Sequence, residues 1–388
     1  MPIINRVADL ADEIALWRRD LHENPELGYD VHRTAGLVAE KLKEFGCDEV
    51  VPGIGKTGVV GVIHGRRRDS GLTIGLRADM DALPMEEITG LPYAPKAKGK
   101  MHACGHDGHT AMLLGAAKHL AETRNFDGTA VLVFQPAEEG GAGGRAMVDD
   151  GLMTRWDVQE VYGMHNTPGL PVGCFATREG AQLAAADVFS IRVTGKGSHA
   201  AQPHKGVDTL VVGANILLAL QSIVARNLDP LQAGVVTVGT FRGGTAANVI
   251  PQTAELIGTV RSLTPEVRDL LECRVGEVAH GIAEAYGAKA CVEYSRNYPI
   301  TINHPRQTEF AVRIASEVAG PGKVTADTPP IMAGEDFAFM LEVRPGNMIF
   351  IGNGNTSACH HPAYDFNDAA IPYGVSYWVR LVEIAMPA

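Results

Sequence analysis

The sequence has no excess of positive charge. Its 34 Lys and Arg residues stand against 45 Asp and Glu, which gives a net charge of -11. The only basic run, residues 66–68, is short and is flanked by Gly65 and Asp69, a pattern typical of a solvated turn. We therefore expect no nucleic-acid partner, because such a partner requires a clustered basic face.

Long hydrophobic runs and a regular cysteine framework are also missing. The first twenty residues carry acids and bases and contain no apolar signal segment. The longest uncharged stretch, 209–225, is shorter than a membrane span and contains Asn215 and Gln221, which favours a buried or partner-facing amphipathic helix. The six scattered cysteines are typical of a reducing compartment. We therefore expect a cytoplasmic protein with no membrane partner.

The order of the predicted elements indicates two domains. At 388 residues the chain is long enough for two or three domains of ~150 residues. The first 180 residues alternate helices with near-continuous apolar strands, which predicts an α/β fold whose mixed sheet is covered by helices. From about residue 185 the order becomes βαββαβ, typical of a ferredoxin-like α+β sandwich. We predict a discontinuous domain, 1–183 and 297–388, with a smaller domain, 184–296, inserted into it.

Carboxylate and imidazole side chains follow four of the predicted strands. They are Asp79 and Asp81 after "LTIGLR", Glu138 and Glu139 after "TAVLVFQ", His165 after "EVYGM", and His360 and His361 after "NMIFIGNG". Ligands of open α/β sheets bind beyond the carboxyl ends of the strands. We therefore expect these side chains to meet, together with the segment "MHACGHDGH" at 101–109, which opens a helix.

Within that segment, Cys104 and His106 are two residues apart, so an extended chain would point both side chains the same way. Asp107 is predicted to cap the helix that begins near Gly108. The positive helix end and a nearby cation would lower the pKa of the thiol and make it a thiolate ligand. Two other interpretations stay open at this point: Cys104 as a nucleophile with His106 as its base, or as an inert buried residue.

Five residues are candidate metal ligands: Cys104, His106, Glu139, His165 and His360. Thiolate, imidazole and carboxylate suit Zn²⁺, and Mn²⁺ or Co²⁺ are alternatives. Five ligands are too many for one tetrahedral catalytic zinc that keeps an open position, so we predict two divalent metal ions that share ligands. In the pair Glu138 and Glu139, one carboxylate would bind metal while the other exchanges a proton with water and the leaving amine.

The predicted inserted domain has its own polar residues. His199 lies in "GKGSHAAQPH", Asn248 in "AANVIPQ", and Arg261 ends "ELIGTVR". A single histidine is often structural. An imidazolium, an amide and a guanidinium together, however, suit a developing oxyanion and a substrate carboxylate.

Nine motifs occur in order between residues 16 and 368: "RADMDALP", "MHACGHDGH", "QPAEEG", "GMHN", "GKGSHAAQPH", "AANVIPQ", "GTVR", "GEDF" and "HHPAYDFND". With them the chain resembles the M20 metallopeptidase family, in the branch of aminoacylases, hippurate hydrolases and auxin-conjugate hydrolases. This resemblance implies a dinuclear-metal catalytic α/β domain with an inserted lid and dimerisation domain. The expected assembly is a homodimer or a dimer-based oligomer.

The resemblance also implies residue roles. Cys104 would bridge two metal ions, with His106, Glu139, His165 and His360 as the other ligands. Glu138 would be the general base, His199 would stabilise the tetrahedral intermediate in the neighbouring subunit, and Asn248 and Arg261 would bind the substrate carboxylate. Ala333-Gly334 before "EDF" and Cys359 depart from the family pattern, which leaves the preferred acyl group or side chain open.

The sequence therefore predicts a metal-dependent amidohydrolase that cleaves N-acyl-L-amino acids of the hippurate or N-acetyl type. Its partner would be a small-molecule substrate, and Asp79, Asp81, His102 and His109 would support the metal ligands. The alternatives are a biosynthetic N-acetyl-amino acid deacetylase or a dipeptidase of the same clan, and a non-catalytic metal-binding relative.

Overall fold

A computed structural model describes residues 3–388. The chain divides into two compact units. The first unit runs to Gln182 and also includes Ile302–Pro329 and Asp336–Ala388, and the second comprises Leu183–Thr301 and Pro330–Glu335. The α/β fold class predicted from the sequence is confirmed. The domain boundaries predicted from the sequence, 1–183 with 297–388 and 184–296, stay a prediction.

The helices and strands alternate along most of the first unit. Its helices are α1 (Asn5–Glu23), α2 (His32–Glu44), α3 (His106–Thr123), α4 (Gly143–Asp149), α5 (Leu152–Arg155), α8 (Pro305–Ala319), α9 (Ala338–Val343) and α10 (Ile371–Ala385). Its main strands are β1 (Glu49–Ile54), β2 (Gly58–His64), β3 (Thr73–Asp79), β4 (Thr129–Gln135), β5 (Glu160–Thr167), β6 (Phe175–Ala176), β15 (Val324–Thr325) and β16 (Gly346–Gly352). Two short strands, β7 (Gly180–Leu183) and β14 (Thr301–Asn303), lie at the boundaries of the units.

Among the described residues, eight strands form one mixed sheet in the order β1-β2-β4-β3-β5-β16-β6-β15. Its centre is parallel, because β3 pairs in parallel with both β4 and β5, and β16 pairs in parallel with β5. Asp79 lies opposite Gln135, and His165 lies opposite Phe350. The carboxyl ends of the four central strands therefore meet at one edge of the sheet, where open α/β folds bind their ligands.

Burial explains why these strands are central. Every residue of β3 and β16 is buried, and so is every residue of β4 except Thr129. This is the composition of parallel strands covered on both faces. Helix α3 is buried on almost all sides, among them by α1 and α10. A helix held so firmly gives its first turn, which begins at His106, a fixed position beside the strand ends.

The second unit has the predicted βαββαβ order. It comprises β8 (Ala185–Thr194), β9 (Ser198–His199), α6 (Thr209–Arg226), β10 (Gly234–Gly243), β11 (Val249–Ile250), β12 (Thr253–Ser262), α7 (Pro265–Ala285) and β13 (Lys289–Tyr298). The four long strands form an antiparallel sheet in the order β10-β12-β8-β13. Burial alternates along β8, as expected for a sheet with one solvated face.

Both long helices of the second unit begin at the residues that cap them. The Asp208 carboxylate accepts hydrogen bonds from the backbone N–H groups of Leu210 and Val211 at the start of α6. Thr264 accepts from Val267, and Pro265 occupies the first turn of α7. Among residues 3–388, α6 is the one helix long and apolar enough to cross a membrane, a test that core helices of soluble proteins also pass. Its residues Val212, Ile216, Leu220 and Ile223 are buried in the core of the second unit.

Candidate metal centre

The five predicted metal ligands converge in the first unit. Their ligand atoms form two groups, Cys104 with His106 and His165, and Cys104 with Glu139 and His360, and within each group all atoms lie within 4.8 Å of one another. Cys104 belongs to both groups. Its Sγ is 3.4 Å from Nε2 of His165, and Nε2 of His360 is 3.2 Å from a carboxylate oxygen of Glu139. Two three-ligand groups that share a sulfur match a pair of ions with one bridging ligand.

His106 is oriented as metal-binding histidines are. Its Nδ1 lies 2.8 Å from the carbonyl oxygen of Asp81, which can only accept, so Nδ1 carries the proton. Its Nε2 is buried and has no hydrogen-bond partner. A buried ring nitrogen without a partner is costly unless a ligand satisfies it, and a second nitrogen bonded to a carbonyl is the usual support of a metal-bound imidazole. The donor set therefore fits a divalent metal.

Gly105 gives the turn between Cys104 and His106 its shape. Its φ is +89°, and helix α3 begins directly after it at His106. The predicted extended geometry of this segment is therefore wrong, although Cys104 and His106 still reach the same group of ligand atoms. A left-handed turn followed by the first residue of a helix brings the two side chains together in a different way.

The surroundings of Cys104 do not by themselves produce a thiolate. Its thiol hydrogen-bonds Cys359, and this contact, burial and the nearby carboxylates of Glu139 and Glu138 raise the pKa of Cys104 well above its ordinary value. The prediction that the helix end lowers the pKa of Cys104 did not take Cys359, Glu139 and Glu138 into account. The hydrogen bond to Cys104 lowers the pKa of Cys359 to about 6, with His165 and His360 acting in the same direction and burial opposing them.

The two glutamates are held by Asp81. Its two carboxylate oxygens accept hydrogen bonds from the backbone N–H groups of Glu138, at 2.9 Å, and Glu139, at 3.0 Å. The preceding Ala137 has a φ of +55°, a conformation that is uncommon for a residue with a side chain and often found at functional sites. Glu138 is buried, and its carboxylate lies within 4.8 Å of ligand atoms of Glu139 and His106.

His360 reaches the centre from a loop that follows β16. It also has a positive φ, +64°, and its backbone N–H donates to the carbonyl oxygen of Ala103 at 2.7 Å. Burial alone would raise the pKa of Glu139, but the hydrogen bond from His360 and the neighbouring ring of His106 lower it. Glu139 therefore carries a negative charge beside the imidazole.

Asp107 does not cap helix α3, because the residue before the helix is Gly105 and no side chain caps it. Instead the buried Asp107 carboxylate lies 2.8 Å from Nδ1 of His22, whose Nε2 lies 2.9 Å from Glu87. The predicted cap is wrong because a histidine from α1, distant in sequence, binds the carboxylate. His102 is buried nearby, and burial lowers its pKa to about 3, so its ring is neutral.

Arg77 is a buried residue for which the sequence predicted no role. Its guanidinium donates to Asp79 at 2.7 Å, to Gln135 at 2.9 Å and to Asp336 at 3.0 Å. Burial alone would raise the pKa of Asp79, but Arg77, His106 and His109 lower it well below its ordinary value. The signal that could have revealed Arg77 was an arginine in the middle of an otherwise apolar strand, since a buried charge requires a partner.

The residues predicted to bind substrate lie in the second unit. His199 in β9 pairs with Val249 in β11, and the backbone N–H of Ala200 donates to the carbonyl oxygen of Asn248, so His199 and Asn248 are neighbours. Arg261 lies in β12, half buried, and donates to Thr259 and to the carbonyl oxygen of Val260 in its own strand. The roles of these three residues stay predictions.

The sequence matches a family model and is similar to two named enzymes. The family model of peptidase family M20/M25/M40 matches residues 75–384. Hippurate hydrolase of Campylobacter jejuni is 44% identical over 381 residues, 98% of each chain. N-acetyl-L-cysteine deacetylase of Bacillus subtilis is 43% identical over an alignment that covers 91% of this chain and 83% of the deacetylase.

A solved structure extends this likeness to the fold. The YXEP protein of Bacillus subtilis, described as a dinuclear metal binding peptidase from the M20 family, superimposes with a TM-score of 0.84 at 35% identity. The superposition covers 98% of this chain and 99% of that one. The chain therefore belongs to peptidase family M20/M25/M40, as the motifs had indicated.

Proposed function

We propose that this protein is a metal-dependent amidohydrolase that cleaves the amide bond of N-acyl-L-amino acids. The observation that carries the proposal is the pair of ligand groups that share Cys104, with the buried Glu138 beside them. The relatives named hippurate hydrolase and N-acetyl-L-cysteine deacetylase support an N-acyl amino acid as the substrate. The native metal is Zn²⁺, Mn²⁺ or Co²⁺, since all three accept this mixed donor set.

The residues would divide the work as follows. Cys104, His106, Glu139, His165 and His360 would hold two divalent ions, which when bound would supply a water of lowered pKa and a Lewis acid for the substrate carbonyl. Glu138 takes a proton from the attacking water and returns it to the leaving amine nitrogen, which needs that proton to depart. His199 donates a hydrogen bond to the developing oxyanion, and Arg261 and Asn248 bind the substrate carboxylate.

Two broader features belong to the same proposal. The protein acts in the cytoplasm, where its scattered cysteines stay reduced. It works as a homodimer or a dimer-based oligomer, in which His199 serves the neighbouring subunit. The molar mass in solution, measured by light scattering, tests the assembly separately from the chemistry.

A substrate panel tests the reaction. Protein reconstituted with Mn²⁺, Zn²⁺ or Co²⁺ is assayed with hippurate, N-acetyl amino acids, indole-acetyl amino acids and dipeptides. We expect hydrolysis of the N-acyl amino acids, and a much higher KM for hippuramide than for hippurate, because the amide removes the carboxylate that Arg261 would bind. The R261M variant should lose this preference while keeping its metal content.

The other outcomes are equally specific. Turnover of dipeptides alone would identify a dipeptidase, and turnover of a single N-acetyl amino acid a dedicated deacetylase. Protein that binds metal and hydrolyses no member of the panel would be a non-catalytic relative, and the proposal would be wrong.

A further inference from the structure

Asn166 contacts the segments that carry the candidate ligands, and the proposed function leaves it without a role. It is buried and follows His165 in β5. Its side-chain Nδ2 donates to the carbonyl oxygen of Cys104 at 2.6 Å, and its Oδ1 accepts from the hydroxyl of Tyr364 at 2.7 Å. Its own carbonyl oxygen accepts from Nδ1 of His165 at 2.6 Å. One residue thus touches two ligands directly and, through Tyr364, the segment that carries His360.

Gly105 provides an independent sign that this contact is close. A Cβ added at Gly105 would lie 2.2 Å from Nδ2 of Asn166 and 2.5 Å from the Tyr364 hydroxyl. Both distances are far below van der Waals contact, and the φ of +89° is itself one that favours glycine. The residue between Cys104 and His106 is therefore a glycine whose missing side chain leaves room for the Asn166 amide.

His109 fixes the backbone of Asn166. Nδ1 of His109 lies 2.7 Å from a carboxylate oxygen of Asp79, so it carries the ring proton and leaves Nε2 as an acceptor. That Nε2 accepts the backbone N–H of Asn166 at 2.9 Å. Because Asp79 is in turn bound by Arg77, the position of Asn166 is set by a buried chain of partners.

We propose that Asn166 is the positioning residue of the metal centre, which fixes the spacing of Cys104 and His165 and couples both to the His360 segment. The inference rests on the proposed function, because it takes the five residues to be metal ligands. Removing the amide would leave the carbonyl oxygen of Cys104 and the hydroxyl of Tyr364 unpaired in a buried place. The ligand segments would then no longer be held at one spacing before metal binds.

The expected effect is on metal affinity rather than only on folding. Loss of the partners that orient metal ligands typically weakens metal binding about 10–100-fold. A merely structural role would lower stability and leave the affinity of the folded protein unchanged. Asn303 offers a matched control: it is equally buried, its Nδ2 donates to Gln182 at 2.7 Å, and its Oδ1 accepts from the backbone N–H of Met348 at 2.6 Å.

The test compares wild type, N166A and N303A as folded full-length chains. Each is stripped of metal and titrated with Zn²⁺ or Mn²⁺ in competition with a coloured chelator, well below its unfolding temperature. We expect the Kd of N166A to rise about 10–100-fold and that of N303A to stay within about twofold of wild type. With Co²⁺, the thiolate charge-transfer band should be weakened in N166A and preserved in N303A.

Each remaining result counts for or against the role of Asn166. An unchanged Kd and Co²⁺ band in N166A, or equal weakening in N303A, would overturn it. If N166A does not fold, Y364F carries the test, and the loss of one hydrogen bond should raise the Kd about fivefold. A wild-type protein that binds metal but hydrolyses no substrate would contradict the proposed function, whereas wild-type affinity in N166A would contradict only the role of Asn166.

Discussion

Replacing Glu138 with glutamine is expected to reduce kcat by about 10²–10⁴-fold or more while the metal content stays that of the wild type. Glutamine keeps the size of the side chain and cannot exchange the proton that water loses and the leaving amine gains. The backbone N–H of residue 138 would still donate to Asp81, so the turn should keep its geometry. The measurement is the hydrolysis rate and the metal-to-protein ratio on the same sample.

Two controls separate the proton transfer from other effects. E139Q should lose metal, because Glu139 is a proposed ligand. E160Q changes a glutamate of β5 that contacts Tyr162 and Gln307 and should keep both metal and turnover. An E138Q protein that loses its metal, or that works at nearly the wild-type rate, would remove Glu138 from the role of general base.

The second large effect is a loss of stability at alkaline pH, which we expect when the His22 imidazolium loses its proton. The His22 ring is fully buried between the carboxylates of Asp107 and Glu87, near the rings of Tyr93 and His102, and Arg18 lies 3.6 Å from Asp107. Burial lowers the pKa of His22, but the two carboxylates outweigh it and raise the pKa from 6.5 to about 9. The imidazolium is therefore the form that the folded protein prefers.

The direction of the effect follows from this raised pKa. The stabilisation is fully present below pH 6.5 and is lost as the pH rises through about 9. Its size is about 3 kcal/mol, from the shift in pKa. We therefore expect the free energy of unfolding in urea, measured for wild type relative to H22Q, to fall by this order between pH 6 and pH 9.5.

His119 provides the control for a buried histidine of the opposite kind. It lies in helix α3, and burial lowers its pKa. H119Q should therefore keep the alkaline loss of stability that the wild type shows. A wild type and an H22Q variant with parallel pH curves would mean that the His22 imidazolium does not stabilise the fold.

Much of the fold followed from hydrophobic patterning. The buried central strands are near-continuous apolar runs, and the order βαββαβ that the sequence indicates from about residue 185 is the order of the second unit. The uncharged stretch 209–225, which favours a helix, lies within α6, but its apolar pattern does not show that the helix begins where Asp208 caps it. Ends of helices depend on such local side-chain contacts, which periodicity does not report.

The candidate ligands could be predicted because strand ends in a parallel sheet converge, so that Glu139 and His165 could be placed together from sequence alone. The residues that hold these ligands in place could not be predicted in this way. Asp107 binds His22 across 85 residues of chain, and Asn166 bonds to Tyr364 across 198. Such contacts depend on which buried donors and acceptors meet after folding, and a single sequence gives no period or spacing for them.

Under the proposed function, two metal ions that share Cys104 as a ligand support amide hydrolysis. The most direct test strips the wild-type protein of metal with a chelator and adds Mn²⁺, Zn²⁺ or Co²⁺ in known equivalents while hippurate hydrolysis is followed. We predict no turnover without metal and a rate that rises until two equivalents per chain are bound. Full activity in the chelator-treated protein, or a rate already maximal at one equivalent, would contradict the claim.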